Sequence, residues 1–188
     1  MSRTLVLGGA RSGKSAFAER LAAASGQEVV YLATARAGDA EMGARIAHHR
    51  ARRAPHWSTL EEPRALAGAV RRWSAPGRLI LVDCLTLWLS NLMFDDGGDY
   101  PEVGELALPA RFDEQRAAFL RALAEAKGDV ILVSNEVGMG IVPVGAVSRR
   151  FADEAGRLNQ AVARRCENAV MLVAGLPLAL KGARCWPA

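Results

Sequence analysis

Cysteine is scarce, and what there is lacks a metal-binding or disulfide pattern. Cys84, Cys166 and Cys185 are odd in number and widely spaced, which argues against a disulfide framework and suits a reducing cytoplasm. Long apolar runs are also missing. The longest, Leu79 to Phe94, is broken by Asp83, Ser90 and Asn91, too short and too polar for a membrane span. The chain enters a strand-like segment at once, so no secretory leader is expected. Only three histidines occur. No zinc finger, RNP or other nucleic-acid signature appears, so no nucleic-acid partner is expected.

What remains is ordinary for a globular chain: 188 residues, 51% apolar, 23% charged, formal net charge +4. This length predicts one domain over 1–188 with a substantial core. Small arginine clusters (Arg50, Arg52 and Arg53; Arg71 and Arg72; Arg149 and Arg150; Arg164 and Arg165) read as solvated helix faces. A basic balance also suits anionic small molecules such as nucleotides.

The strongest signal is RTLVLGGARSGKS, Arg3 to Ser15. Gly8, Gly13, Lys14 and Ser15 match the phosphate-loop pattern directly after an apolar strand-like run. The glycines allow a curl with inward-pointing N–H groups. A helix starting near Lys14 would add its N-terminal partial charge. Gly8, Gly9, Ala10, Arg11, Ser12, Gly13, Lys14 and Ser15 are therefore candidate nucleotide contacts. Lys14 is suited to the β- and γ-phosphates and the Ser15 hydroxyl to Mg²⁺. The apolar run Leu79 to Val82 ends in Asp83. In phosphate-loop proteins such a strand is expected beside the first, its acid directed at the Mg²⁺.

Further along, the spacing predicts helices over Ser15–Ala24, 40–53, Pro63–Arg72, Leu85–Phe94, Ala110–Ala126 and Ser148–Arg165. Strands are predicted over Val29–Thr34, Leu79–Val82, Val130–Val133, Ala169–Val173 and Leu178–Leu180. The acid-, Gly- and Pro-rich stretch Asp95 to Pro109 and the stretch Ser134 to Pro143 read as loops. Alternating apolar strands and helices predict an α/β fold: a mostly parallel sheet with helices on both faces.

In the helix expected over 40–53, His48 and His49 point roughly 100° apart. With Met42 at zero, Ile46 lies at roughly 40°, His49 at roughly 340° and His48 at roughly 240°. His49 thus joins the apolar stripe. His48 shares its side with Glu41, Arg45 and Arg52. It is either a solvated surface histidine or a nucleophile or acid–base group among phosphate-holding arginines.

Several segments carry a resemblance: GGARSGKS at Gly8 to Ser15, YLATA at Tyr31 to Ala35 and EMGARIAHHRARRAPHW at Glu41 to Trp57. SNEVGMGIVP at Ser134 to Pro143 and FADEAGRLNQAVA at Phe151 to Ala163 add to it. Together the chain resembles the bifunctional adenosylcobinamide kinase / adenosylcobinamide-phosphate guanylyltransferase family of cobalamin biosynthesis, over nearly its whole length. The resemblance implies a phosphate-loop NTPase-like fold and two reactions. A nucleoside triphosphate, ATP or GTP, phosphorylates adenosylcobinamide. GTP then guanylylates that phosphate, giving adenosylcobinamide-GDP and pyrophosphate. It further implies a GMP–histidine intermediate on the first histidine of the pair, here His48. Nucleotide contacts are implied at Gly8 to Ser15, at Thr34, Ala35 and Arg36, at His49, Arg50, Ala51 and Arg52, and at Glu61 and Asp83. A homo-oligomer is implied, with a homotrimer the suggested state. The segment Asn135 to Pro143 is the place to look for corrinoid contacts. Two rival readings stay open from the residues themselves. One is a phosphate-loop kinase of another small alcohol. The other is a nucleotide-dependent regulatory module using the 95–109 loop as a partner surface.

Overall fold

The computed structural model describes residues 1–36, 54–94, 100–183 and 186. The helix expected over 40–53, with His48, His49, Arg50, Ala51 and Arg52, lies outside the described residues, as do 95–99 of the acidic loop and Cys185.

The strands are β1 (Arg3–Gly8), β2 (Glu28–Ala33), β3 (Ser58–Glu61), β4 (Arg78–Asp83), β5 (Asp129–Asn135), β6 (Asn168–Val173) and β7 (Leu176–Lys181). The helices are α1 (Lys14–Ala24), α2 (Leu66–Trp73), α3 (Leu85–Met93), α4 (Phe112–Ala124) and α5 (Ala146–Ala163). They build one seven-stranded sheet in the order β3-β2-β4-β5-β1-β6-β7. All pairings are parallel except β6 with β7.

The central strands are apolar at nearly every position because both of their faces are covered. Leu5 and Leu7, Val30 and Leu32, Ile80 and Val82, and Val130 and Leu132 face α2, α3, α4 and α5. There they meet Leu66, Trp88, Phe119, Leu158 and Val162. The intervening residues Val6, Val29, Tyr31, Leu81, Ile131 and Val133 face Phe17 and Ala18 of α1 together with Trp57. The period-2 alternation of a strand thus assigns each residue to one of two cores.

Glu154 of α5 is buried, yet it holds Arg116 of α4 at 2.8 Å, Arg157 at 2.6 Å and Arg150 at 3.3 Å. A buried carboxylate needs such partners. Part of the Arg149–Arg150 pair read as solvated is therefore a tie within the helical layer.

The sequence expectations need four corrections. Strand β3 was not expected; it is short and largely exposed, with no hydrophobic alternation to reveal it. Helix α2 starts at Leu66 and not at Pro63. Glu62 Oε1 accepts from the backbone N–H groups of Arg64 and Ala65, while Trp88 and Asn91 of α3 donate to the carbonyls of Arg64 and Pro63. These bonds occupy the segment's polar groups in a turn. Strand β5 runs on through Ser134 and Asn135, where the sequence pattern predicts the loop to begin. Finally, β4 is not beside β1, because β5 lies between them.

Candidate active site

Parallel strands put their C-terminal ends on one edge of the sheet, where the loops are free to build a site. Gly8 and Asp83 end β1 and β4 there, and Thr34 follows β2. Glu61 ends β3, in register with Ala33, which is itself in register with Asp83.

Gly8 must be glycine. A Cβ there would lie 2.4 Å from Ser12 Oγ and 2.8 Å from the Leu172 carbonyl oxygen. Arg11 has φ of 56° and Gly13 φ of 90°, so the chain curls through left-handed backbone twice between β1 and α1. Gly13 caps α1, and the first helical bond runs from Phe17 N–H to its carbonyl, 2.9 Å. The N–H groups of the first turn thus have no acceptor within the helix. A loop of this shape followed by a helix N-terminus is suited to an anion.

Two neighbours brace the loop. The Gly175 N–H of the β6–β7 turn donates to the Ser12 carbonyl at 3.0 Å, and the Glu136 N–H beyond β5 donates to the Gly8 carbonyl at 3.1 Å. Lys14 Nζ folds back to the Gly9 carbonyl at 3.1 Å, which holds the ammonium over the loop. Ser15 follows on the first turn of α1.

Asp83 Oδ2 accepts from the Tyr31 hydroxyl at 2.8 Å. Beyond it runs a polar chain. The Thr34 hydroxyl donates to the Cys84 carbonyl at 2.7 Å and accepts from the Cys84 N–H at 2.8 Å. The Cys84 thiol and the Thr86 hydroxyl are 3.1 Å apart, and Asn135 Nδ2 donates to Thr86 Oγ1 at 2.8 Å. Asn159 of α5 donates to the Asn135 carbonyl at 3.0 Å and accepts from Ser134 Oγ at 2.7 Å. Burial above all, with the Asp83 charge beside it, pushes the Cys84 thiol up to about 11. It is a neutral group in this chain.

Of the expected site residues, Gly8 to Ser15, Thr34 to Arg36, Glu61 and Asp83 share this edge. Sequence reasoning missed Tyr31, Thr86, Asn135 and Asn159 as supports. A signal existed for Asn135: Ser134-Asn135 ends an apolar strand as Asp83 ends β4.

The profile of the family described as cobinamide kinase / cobinamide phosphate guanyltransferase matches residues 4–180. The chain belongs to that family. It is 58% identical over 180 residues to the bifunctional adenosylcobalamin biosynthesis protein CobP of Pseudomonas aeruginosa, covering 96% of this chain and 98% of that protein. Two relatives named CobU cover 94% of this chain and 98% of their own length: one of Escherichia coli, 40% identical, and one of Salmonella typhimurium, 41% identical. The chain is therefore an enzyme with two transfer activities. Its architecture is that of phosphate-loop ATPases. A type III secretion ATPase superposes with a TM-score of 0.52 at 15% identity, covering 95% of this chain and 56% of the other. That likeness concerns the fold alone.

Among the described residues, no helix of this enzyme is long and apolar enough to cross a membrane. No group of three or more His, Cys, Asp or Glu among them could hold a metal. The hard oxygens of Ser15 and Asp83 fit an ion that retains waters and shares its shell with phosphates, as Mg²⁺ does.

Proposed function

We propose that both transfers begin with a triphosphate seated on Gly8 to Ser15, with adenosylcobinamide as the acceptor of the first. The observation that carries this is the loop's double left-handed curl, closed by Gly13 and opening directly into α1. Lys14 neutralises the β- and γ-phosphates. Ser15 and Asp83 would hold Mg²⁺, which supplies charge neutralisation of the phosphates when bound. The triphosphate is common to ATP and GTP, so either can serve the kinase step.

Strand order supports a division of labour along the edge. Four strand spacings separate β1 from β3, on the order of 19 Å at about 4.8 Å each. Glu61 is therefore remote from the phosphate loop. Together with Thr34, Ala35 and Arg36 it serves the nucleoside end or the second nucleotide rather than the phosphates.

In the second transfer the His48 imidazole attacks the α-phosphorus of GTP. A P–N bond forms and the bond to the pyrophosphate oxygen breaks. An oxygen of adenosylcobinamide phosphate then attacks the same phosphorus and releases His48. Neutral imidazole is a competent nucleophile near neutral pH. His49, Arg50, Ala51 and Arg52 provide nucleotide contacts beside it. The roles of His48 to Arg52 rest on the sequence resemblance and on helical periodicity.

The working form is a homo-oligomer, with a trimer as the suggested state. Leu176, Leu178 and Leu180 of the edge strand β7 are all more than half exposed, an apolar row of the kind a second copy covers. Free, buried Cys84 and Cys166 suit the reducing cytoplasm.

The test is labelling with α-labelled GTP and peptide mapping. His48→Ala should abolish the acid-labile GMP adduct and guanylyl transfer while cobinamide phosphorylation survives in part. His49→Ala should keep a measurable adduct. An adduct on His49, or one undiminished in the His48 variant, overturns the assignment.

A further inference from the structure

Buried side-chain oxygens rarely go without a hydrogen-bond partner, and each exception calls for an explanation. Around the phosphate loop two such oxygens have none among the described residues, Ser12 Oγ and Asn135 Oδ1. Ser12 Oγ is packed beneath the loop, where a Cβ on Gly8 would strike it, so it faces protein. Asn135 Oδ1 is different, because its residue is otherwise held on three sides.

Asn135 Nδ2 donates to Thr86 Oγ1 at 2.8 Å, which fixes the plane of the amide and turns Oδ1 away from Thr86. The Asn135 carbonyl accepts from Asn159 Nδ2 at 3.0 Å. The next N–H, that of Glu136, donates to the Gly8 carbonyl at 3.1 Å. Bonds to α3, α5 and the phosphate loop thus set both the backbone and the side chain.

The alternation of β5 gives the direction. Ile131 and Val133 pack on the α1 side of the sheet, and Asn135, two residues on, shares that face. Ser134 turns the other way and meets Asn159 of α5. Asp83 is on the α1 face as well, bonded to Tyr31, and is in register with Val133. Gly8, in register with Asn135, opens the loop that leads to Lys14 and Ser15 at the start of α1. Because β5 separates β4 from β1, Asn135 stands between the carboxylate and the phosphate loop. It is one strand spacing, about 4.8 Å, from β1.

An acceptor at this place needs a donor. A triphosphate at neutral pH presents acceptor oxygens, and the Lys14 ammonium is turned to the Gly9 carbonyl. The waters that Mg²⁺ retains are polarised donors. We propose that Asn135 is a positioning residue for the metal, its Oδ1 accepting from a water that Mg²⁺ carries between Ser15, Asp83 and the phosphates. The inference rests on the reading of Ser15 and Asp83 as the Mg²⁺ site. A neutral amide suits the task, since it takes the hydrogen bond without adding negative charge beside the triphosphate.

The test uses Mn²⁺ as the probe, with electron paramagnetic resonance counting the unbound ion. The full-length enzyme is loaded with α,β-methylene GTP and no cobinamide, so neither transfer proceeds. Asn135→Leu should weaken Mn²⁺ binding about fivefold or more, the scale of one lost hydrogen bond. Its affinity for the analogue in excess EDTA, and its cobinamide KM at saturating Mg²⁺, should match wild type. Asn135→Ala should show the same loss of Mn²⁺ affinity. Asn135→Asp keeps an acceptor and should bind Mn²⁺ within about twofold of wild type or more tightly.

Unchanged Mn²⁺ binding in Asn135→Leu and Asn135→Ala overturns the proposal, since an ordinary buried water would then satisfy Oδ1. A loss confined to the bulkier leucine overturns it too. So does an equal loss in Asn135→Asp, which would leave the amide only its bond to Thr86. Weaker binding of the analogue in EDTA, or a raised cobinamide KM, would make Asn135 a substrate contact and also overturns it. Asp83→Ala keeps the two readings apart. Weaker Mn²⁺ binding there, with none in the Asn135 variants, removes Asn135 alone; unchanged binding in all of them removes the metal site itself.

Discussion

The Tyr31 hydroxyl donates to Asp83 Oδ2 at 2.8 Å. Asp83 is in register with Ala33, two residues beyond Tyr31 on the neighbouring strand, so the two side chains share a sheet face. The tyrosine ring is buried against the α1 side of the sheet. Its rigid position aims the carboxylate at the site edge.

Tyr31→Phe should leave the fold intact, because the ring still fills its place. Removing the hydroxyl should cost about 1 kcal/mol of stability and raise the Mg²⁺ concentration needed for half-maximal kinase activity. Asp83→Ala should lower turnover further. A metal titration identical to wild type in both variants would show that this pair only closes the end of two strands.

Lys14→Ala should impair phosphoryl and guanylyl transfer together, since both start from the same seat. Retention of either activity near the wild-type rate would separate the two nucleotide sites.

Gly8 and Gly9 form a matched pair. Gly8→Ala forces a Cβ against Ser12 and the Leu172 backbone and should lower stability by about 1–3 kcal/mol. Gly9→Ala meets nothing within 4 Å and should melt within a degree or two of wild type, on the scale of a surface change. Equal melting temperatures for the two variants would contradict the packing around Gly8.

The thiols give a pH prediction. Burial, aided by neighbouring acids, raises Cys84 to about 11 and Cys166 to about 12 from an ordinary 9.0. A raised folded pKa means that the stabilising contribution is complete below pH 9. It is lost as pH climbs toward 11 and 12, because the unfolded chain releases its protons first. Wild type should therefore lose melting temperature between about pH 9 and 11 more steeply than Cys84→Ala. Parallel curves would show that Cys84 is solvated. Glu167 runs the other way: burial raises it, but the bonds from Arg3 win and hold it below the usual range. Its contribution is present at neutral pH and fades as acid protonates it, so the gap between wild type and Glu167→Gln should close at low pH.

The sequence by itself determined the phosphate loop, the apolar strands and their alternation with helices. These are local: Gly8 and Gly13 answer to backbone angles and close approach within one turn, and the strands announce themselves because both faces are buried. The family was legible for the same reason, in contiguous segments. Tertiary structure alone decided the strand order. Nothing local says that β5 is inserted between β1 and β4, because parallel pairing is set by crossover packing far along the chain. It alone showed that Tyr31 supports Asp83, and that Asn159 holds the end of β5 from 24 residues away. It also decided that the apolar run at 137–144 faces outward beside the phosphate loop. The glycines marked it as a loop, but not which way its apolar side chains face. The Glu136–Gly8 and Arg149 backbone ties hold it at the strand-end edge of the sheet.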